Sequence, residues 1–426
     1  MQFLCHHLLS SRGEASQTAL AQQIITAYAA MDSRERVRFF EMLCSDFSAD
    51  GATVAHAASD YLLSPSPGTL SALSSAVEAP RQELFRRINT APGGTETLVR
   101  MRRDLTALSS SGVAFEAVDA DLKHLFRSWF NRGFLRLERI SWQTSALILE
   151  KLIRYESVHE INGWPDLRRR LQVDRRCFAF FHPTLLDEPI IFVEVALGNM
   201  LSSSVEPLLD INAPVLDPKR ADTAIFYSIN NCQQGLRNIQ FGNFLIKQVA
   251  TEIAAELPNI KVFGTLSPLP RFSLALRDPQ NEHGFTPARL GRLLADYSAE
   301  LTAAAGKSDT TLAFFSLLDH PVANREVLAA PLENLAFAYL TKARGYDGRL
   351  YDPVANFHLS NGARLERVNA FGNLRPYGLE TSVGVTVNYR YLPSEFEENH
   401  ERFVREGRIS VSGNLLRAKS LVAATW

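Results

Sequence analysis

The feature that most constrains the fold of this chain is a change of sequence pattern near residue 132. Before this point apolar residues recur at helical spacing, and strand-like alternation is nearly absent. After it, short Ile- and Val-rich runs alternate with amphipathic stretches. The sequence therefore predicts an α+β protein, with an all-α helical bundle domain over residues 1–132 and a domain of mixed sheet and helix over residues 133–426.

Helices are predicted in the first part wherever apolar residues repeat every three or four positions. This pattern covers residues 19–30, 34–47, 70–77, 83–88, 95–108 and 115–130. No group of chemistry-bearing side chains stands out among these segments. We therefore expect the first part to serve packing or oligomerisation.

Strands are predicted in the second part from apolar runs and from alternation. Residues 177–181 and 190–197, separated by turn-like residues, predict a β-hairpin. Residues 224–229 and 261–266 predict further strands. Residues 383–392 alternate cleanly, which places Val383, Val385, Val387, Tyr389 and Tyr391 on one face of a strand.

Charge and cysteine usage exclude several classes of protein. The chain has 45 Lys and Arg against 46 Asp and Glu, which is not the balance of a nucleic-acid-binding protein. No apolar run reaches the roughly 18 residues that a membrane helix needs, and the first residues make a poor secretory signal. The four cysteines are far apart and form no C-x-x-C pair. They favour reduced thiols in a cytoplasmic protein without a metal site.

Two short motifs are set aside. Residues 304–308 end like a phosphate-binding P-loop, but Leu301 stands where the motif requires its first glycine, so a polar loop or helix end is expected there. Arginines cluster at residues 168–170 and 175–176. For these the default prediction is a solvated helix face, and phosphate contact is the less favoured alternative.

Residues 224–268 are the most informative segment. A strand leads into a loop with Gly235 and Gly242, a helix follows, and a second strand delivers Ser267 at its carboxyl end. Free backbone N–H groups at a helix N-terminus suit a phosphate or pyrophosphate. An ordinary strand–helix–strand connection is an equally good interpretation of these residues alone, and for Ser267 by itself a plain strand-end serine is the favoured one.

A series of fragments in one order covers most of the chain and has the pattern of a known family. They are LFRRINTAPGG (84–94), WFNRGFLRLERISW (129–142), DRRCFAFFHP (174–183), EPIIFVEVAL (188–197), FYSINNCQQGL (226–236), FGNFLIKQV (241–249), VFGTLSPLPRF (262–272), YDPVANFHLSNGA (351–363) and VNYRYL (387–392). In these fragments the chain resembles malonyl-CoA decarboxylases. The resemblance implies a helical domain followed by a domain of the GNAT-type acyltransferase fold.

The resemblance also implies a coenzyme A site. In the GNAT-type fold a loop of pattern Q/R-x-x-G-x-G/A cradles the CoA pyrophosphate, and residues 237–243 stand at that place. Gln240 replaces the usual glycine, but the cradle uses backbone N–H groups, so the change does not remove it. The implied substrate-binding residues are Ser228, Arg237, Asn238, Ile239, Gln240, Phe241, Gly242 and Asn243, together with Ser267 and His358.

The implied reaction converts malonyl-CoA to acetyl-CoA and CO2. By resemblance, Ser267 is the proton acceptor or carboxylate-orienting group, His358 is the proton donor to the enolate carbon, and Tyr391 is a further catalytic position. No metal or organic cofactor is expected, because the thioester of the substrate can accept the electron pair that CO2 leaves. His182 and Glu194 lie in matching fragments but receive no chemical role, and His182 is expected to hold a turn.

Two other functions stay open. The same fold would serve an acyl-CoA-dependent acyltransferase, and a non-catalytic acyl-CoA sensor is the second alternative. The family also suggests a homo-oligomer, either a tetramer or a dimer of dimers, with no nucleic-acid or membrane partner. The pathway is not visible in the sequence, since malonate catabolism and control of malonyl-CoA levels fit equally well.

Overall fold

The first part of the chain is helical. A computed structural model describes residues 1–10, 13–109, 115–239, 245–278 and 284–418. Its first helices are α1 (Gln2–Ser10), α2 (Glu14–Ala30), α3 (Ser33–Ser45), α4 (Gly51–Leu63), α5 (Pro67–Val77), α6 (Pro80–Asn89), α7 (Gly94–Ser109) and α8 (Glu116–Trp129). All six predicted helical segments are found, and α1 and α4 are additional.

A mixed sheet dominates the second part. Its strands are β1 (Arg136–Ile140), β2 (Arg175–Phe181), β3 (Pro189–Gly198), β4 (Thr223–Asn231), β5 (Val262–Thr265), β6 (Ser267–Pro268), β7 (Arg364–Asn369) and β8 (Thr386–Tyr391). They pair in the order β1-β2-β3-β4-β5-β8-β6, and β7 pairs with β8. The β4–β5 pair is parallel, and the other pairs are antiparallel.

Helices surround this sheet. They are α9 (Ala146–Tyr155), α10 (Trp164–Arg170), α11 (Glu206–Leu209), α12 (Leu245–Glu256), α13 (Phe272–Arg277), α14 (Pro287–Leu294), α15 (Ser298–Ala305), α16 (Thr310–Leu318), α17 (Arg325–Lys342), α18 (Pro353–Ser360), α19 (Pro376–Ser382), α20 (Phe396–Glu406) and α21 (Gly413–Ala418). Helix α15 ends at Gly306 with a left-handed backbone (φ +61°), which confirms the helix end predicted there. No helix among the described residues is long and apolar enough to cross a membrane.

The predicted order of fold classes is confirmed: helices come first, and a mixed sheet surrounded by helices follows. The predicted hairpin is the β2–β3 pair, in which Cys177 faces Glu194. The last predicted strand starts later than expected, at Thr386 rather than Val383. The reason is local, because Val383 and Gly384 both have positive φ (52° and 77°) and close α19 instead of extending the strand.

The sheet opens between β4 and β5. A bulge in β4 leaves Tyr227 unpaired, because Glu194 faces Ser228 while the next residue of β3 faces Phe226. The β4–β5 pairing ends at the residue before this bulge, where Phe226 faces Thr265. Strand β5 also pairs with β8, and β6 continues this pairing in the same register beyond Leu266. Strands β4 and β5 therefore separate at their carboxyl ends.

The predicted solvated face at the arginine run is wrong. Arg168 is exposed, but the other four arginines of the run are buried. Arg170 on α10 is 2% exposed and pairs with Asp166 (2.9 Å) and with Glu194 of β3 (2.8 Å). The remaining pairs are Arg169–Asp174 (2.7 Å), Arg175–Asp174 (3.0 Å) and Arg176–Glu256 (2.7 Å). These acidic partners allow a basic run to be buried.

The helical part packs directly on the sheet domain. One cluster of buried apolar side chains includes Met101 of α7, Leu122 of α8, Leu236 and Val193 of β3. Contact is closest at the 3₁₀ turn Gln234–Leu236, which follows β4. A Cβ atom on Gly235 would lie 1.9 Å from the Val99 carbonyl oxygen, so only glycine lets α7 approach the backbone here.

Candidate active site

A cavity of about 890 Å³ lies where β4 and β5 separate. Its walls come from β3, β4, β6, α18, the segment before α12 and residues 345–351. The residues that line it include Phe226, Asn238, Ile239, Ser267, Pro268 and His358. A cavity of this size has the volume of an ordinary small-molecule site.

Ser267 lies at the point where the two strands separate. It is the first residue of β6 and pairs with Val387 of β8, and Pro268 after it favours the extended backbone. Its side chain is buried. The Ser267 hydroxyl donates to Thr265 Oγ1 (2.9 Å), and Ser267 Oγ also lies 2.9 Å from His358 Nε2.

Helix α18 carries His358 to this serine. The helix starts at Asp352, whose carboxylate accepts hydrogen bonds from the Val354 and Ala355 backbone N–H groups (3.0 and 2.9 Å), and Pro353 fixes its first turn. His358 follows in the last turn and is 2% exposed. Its ring stacks on Tyr389, with ring centroids 4.6 Å apart and planes 24° apart.

Tyr391 of β8 completes the group. Its hydroxyl lies 2.8 Å from His358 Nδ1, so both ring nitrogens of His358 have a hydroxyl partner. Tyr389 and Tyr391 lie two positions apart on one strand and therefore face the same side, as predicted. The structure thus brings together three predicted residues, Ser267, His358 and Tyr391, from β6, α18 and β8.

Burial makes this group electrically neutral. It lowers the pKa of His358 to about 3 and raises the pKa of Tyr391 well above its usual value. A neutral imidazole has one N–H and one acceptor nitrogen. Since the Ser267 hydrogen points to Thr265, we assign the His358 N–H to Nε2, which donates to Ser267 Oγ. His358 Nδ1 then accepts the Tyr391 O–H.

Ser228 lies outside this chain of hydrogen bonds. Its hydroxyl donates to Glu156 Oε2 (2.7 Å), which also accepts a hydrogen bond from the Asn230 amide (2.8 Å). Both side chains are buried. The structure therefore places Ser228 in a second polar cluster, and its role in substrate binding stays a prediction.

The predicted CoA loop is described in part. Arg237 and Asn238 are exposed, Ile239 is buried, and Asn238 has a left-handed backbone (φ +65°). Asn238 and Ile239 line the cavity. The other predicted residues of the loop, Gln240, Phe241, Gly242 and Asn243, lie outside the described residues.

The remaining candidates have structural partners. His182 holds a turn, as predicted: its Nδ1 lies 2.7 Å from Thr184 Oγ1 and its Nε2 lies 3.1 Å from the Trp129 carbonyl oxygen. Glu194 is the buried partner of Arg170. Among the described residues, no group of three or more His, Cys, Asp or Glu side chains is arranged to hold a metal ion.

Sequence reasoning missed Thr265, which orients the Ser267 hydroxyl. A signal was available, because residues two apart on a strand face the same side, and T-x-S places two hydroxyls within reach of each other. Tyr389, which supports the His358 ring, was predicted only as a face-sharing strand residue. Nothing in the sequence singled out Arg102, which donates to the backbone carbonyls of Gly235 and Arg237 at the start of the predicted CoA loop.

The fold and the cavity define a class of protein. A buried histidine between two hydroxyls, in the wall of a cavity at the opening of a sheet, is suited to acid–base catalysis on a small molecule. The comparisons with known proteins agree with an enzyme. The family model "Malonyl-CoA decarboxylase N-terminal domain" matches residues 47–130, and "Malonyl-CoA decarboxylase C-terminal domain" matches residues 133–424.

Solved structures and a curated relative extend this match. Malonyl-CoA decarboxylase from Rhodopseudomonas palustris is 43% identical, with a TM-score of 0.84 over 97% of this chain and 98% of that one. The Agrobacterium vitis enzyme is also 43% identical, with a TM-score of 0.86 over 98% and 99%. The mitochondrial enzyme of the goose Anser anser anser is 34% identical over 89% of this chain and 79% of its own length. The chain belongs to the malonyl-CoA decarboxylase family and is a carboxy-lyase.

Proposed function

We propose that this protein converts malonyl-CoA to acetyl-CoA and CO2, without metal or organic cofactor, in the cavity beside Ser267 and His358. The observation that carries the proposal is the neutral His358 with its Nε2–H directed to Ser267 in the cavity wall. Malonyl-CoA is a β-carbonyl acid. When its C–CO2 bond breaks, the electron pair moves into the thioester as an enolate, and the carbon left behind needs a proton.

His358 supplies that proton in the proposed mechanism. Its Nε2–H is transferred to C2 of the enolate, and the Tyr391 O–H, hydrogen-bonded to Nδ1, stabilises the negative charge left on the ring until Nε2 is reprotonated. Decarboxylation of a carboxylate consumes one proton overall, so a proton from solvent restores the chain. A neutral donor suits this step because it leaves the negative substrate carboxylate without a strong cation that would stabilise the ground state.

Ser267 orients the malonyl carboxylate in this proposal. A carboxylate only accepts hydrogen bonds, so the Ser267 hydroxyl must turn from Thr265 toward it when substrate binds. Such a turn exchanges one hydrogen bond for a stronger one to a charged acceptor. Alignment of the breaking bond with the thioester is the expected gain.

The direct test is turnover of malonyl-CoA by purified protein in the presence of a metal chelator and without an acyl acceptor. Acetyl-CoA and CO2 should appear in equal amounts. Turnover only after an acceptor amine is added would instead indicate the acyltransferase. Tight binding of CoA thioesters without any turnover would indicate the sensor.

We also propose that the protein is a homo-oligomer, a tetramer or a dimer of dimers, assembled through its helical part. Helices α4 and α5 contain no buried residue, and Leu62 and Leu63 are 78% and 84% exposed. Helices this short are marginally stable without packing, which supports a covering partner. Mass photometry of the full chain tests the subunit count. The cytoplasmic location stays a prediction, since the curated relative is named as mitochondrial while the solved relatives come from bacteria.

A further inference from the structure

A buried arginine of the helical part reaches the segment that leads into the CoA loop. Arg102 of α7 is 1% exposed, and its Nε donates to Asp119 Oδ1 of α8 (2.7 Å). Its Nη1 donates to the carbonyl oxygens of Gly235 (2.6 Å) and Arg237 (2.9 Å). One guanidinium group therefore joins two helices of the first part to a loop of the second.

These hydrogen bonds fix the orientation of the loop backbone. Hydrogen bonds from a charged donor are stronger than neutral ones, and two carbonyls held by one nitrogen cannot rotate independently. Leu236 between them is fully buried, and Gly235 lies against the Val99 carbonyl. Asn238, the next residue after Arg237, takes its left-handed backbone here, and Asn238 and Ile239 line the cavity. The Arg237 carbonyl is thus one residue from the cavity wall, and the Gly235 carbonyl three residues.

We propose that Arg102 is a positioning residue for CoA binding: it holds the loop in its binding conformation before substrate arrives. The proposal rests on the proposed function, because it assigns residues 237–239 to the CoA part of the substrate. A loop that is already ordered loses less conformational entropy when ligand binds. Removal of the anchor should therefore weaken binding of CoA thioesters. It should leave the chemical step intact, because Ser267, His358 and Tyr391 come from β6, α18 and β8.

The chain contains a matched control for this arginine. Arg81 of α6 is 6% exposed, and its Nε donates to Asp121 Oδ2 of the same α8 (2.6 Å). Its Nη1 donates to the carbonyl oxygens of Leu43 (3.3 Å) and Phe47 (3.4 Å). Arg81 thus shares with Arg102 an aspartate of α8 and two backbone carbonyls as partners, has the Ser48 hydroxyl (2.9 Å) in addition, and contacts only the helical part.

The experiment compares full-length wild type, Arg102→Met and Arg81→Met. We expect Arg102→Met to raise both the KM for malonyl-CoA and the Kd for acetyl-CoA by about tenfold or more, with kcat within about twofold of wild type. Arg81→Met should leave KM and Kd within about twofold. Both variants should unfold at a lower temperature, so a general loss of stability does not produce the difference. Arg102→Lys, which keeps a donor, should restore part of the affinity.

Hydrogen exchange gives a second readout that does not depend on activity. The amides of residues 234–239 should exchange faster in Arg102→Met than in wild type or Arg81→Met. Equal KM effects in the two variants, or a fall in kcat alone, would overturn the proposal. Unchanged exchange in residues 234–239 would overturn it as well. If wild type does not turn over malonyl-CoA, the proposed function fails, whereas the exchange data still decide whether Arg102 positions the loop.

Discussion

This protein contains two buried clusters of polar side chains, and they differ in charge. The cluster around His358 is neutral, and hydroxyl groups contact both of its ring nitrogens. The cluster around Arg170 is ionic, with Asp166 and Glu194 as partners and the His159 and Glu160 carbonyls as further acceptors. An ionic network in which each charged group has its partners keeps its side chains in one arrangement. A neutral chain of hydrogen bonds can reverse its donors with little movement, which is what a proton donor needs.

The two clusters also contain comparable histidines. Burial lowers the pKa of His358 to about 3 without help from nearby charges. The pKa of His159 is also lowered to about 3, by burial and additionally by Arg170 and Arg375. His159 is equally buried at 2% exposed, but neither of its ring nitrogens has a hydrogen-bond partner among the described residues. The two histidines therefore have similar pKa values in different surroundings, and only His358 belongs to the proposed proton path.

The largest expected effect separates these two histidines. Loss of the proton donor in His358→Asn should lower kcat by about 10²- to 10⁴-fold, while acetyl-CoA still binds. The matched variant His159→Asn should keep turnover per folded molecule within about threefold of wild type. Steady-state kinetics and calorimetric titration with acetyl-CoA measure both. If His159→Asn lowered kcat as much as His358→Asn does, the proposed difference in function between the two histidines would be wrong.

The next effect is on stability and concerns the ionic cluster. Arg170→Met leaves Asp166 and Glu194 without their buried cation, so the free energy of unfolding should fall by about 3–5 kcal/mol. Urea unfolding followed by circular dichroism measures the loss. The double variant Arg170→Met, Glu194→Gln removes one stranded charge and should recover part of it. If the free energy of unfolding fell by less than about 1 kcal/mol, the ion pairs of this cluster would contribute little to stability.

A smaller effect tests the direction of the neutral chain. In Thr265→Val the Ser267 hydroxyl loses its acceptor and can donate to His358 Nε2, which forces the N–H onto Nδ1. We expect kcat to fall by about five- to tenfold with KM little changed, since one neutral hydrogen bond is worth about 1 kcal/mol. Thr265→Ser keeps the acceptor and should retain activity. If Thr265→Val kept full turnover, the assigned donor direction would be wrong.

The last effect is gradual and concerns the pH dependence of stability. Both histidines stay neutral in the folded protein to about pH 3, but in the unfolded chain they bind protons below about pH 6.5. The unfolded state is therefore favoured as pH falls from 6.5 toward 3, by up to about 1.4 kcal/mol per pH unit for each histidine. His358→Asn and His159→Asn should each reduce this slope by a similar amount. Urea midpoints at several pH values measure it, and an unchanged slope in either variant would contradict the pKa of that residue.

The fold was largely predictable where burial leaves a periodic pattern. The β2–β3 hairpin, β4 and most of β8 follow from apolar runs and alternation, and α2 and α3 follow from helical spacing. Helix α4 was missed, whereas α5, which likewise contains no buried residue, was predicted from its apolar spacing. The arginine run was misjudged because its neutralising acids are distant: Glu194 is 24 residues from Arg170, and Glu256 is 80 residues from Arg176.

For the site, the residues could be chosen from the sequence, but their arrangement in space could not. Ser267, His358 and Tyr391 were chosen by family resemblance, and their contact, across 91 and 33 residues of sequence, is a property of the sheet topology. No local pattern could supply it. Hydrogen-bond direction, the neutral state of His358 and the anchoring of residues 235–237 by Arg102 all depend on burial and on distances, which the sequence does not contain.

The position of β8 has a consequence for the order in which this protein can be made. Strands β5 and β6 pair with one side of β8, and β7 pairs with its other side. During synthesis residues 386–391 leave the ribosome after β5, β6 and β7. The growing chain therefore has three strands whose edges toward β8 are unpaired, and such edges tend to pair with other chains. The strand that closes these edges also delivers Tyr391 to His358. Completion of the sheet and completion of the site are therefore one event, and an unfinished chain has neither.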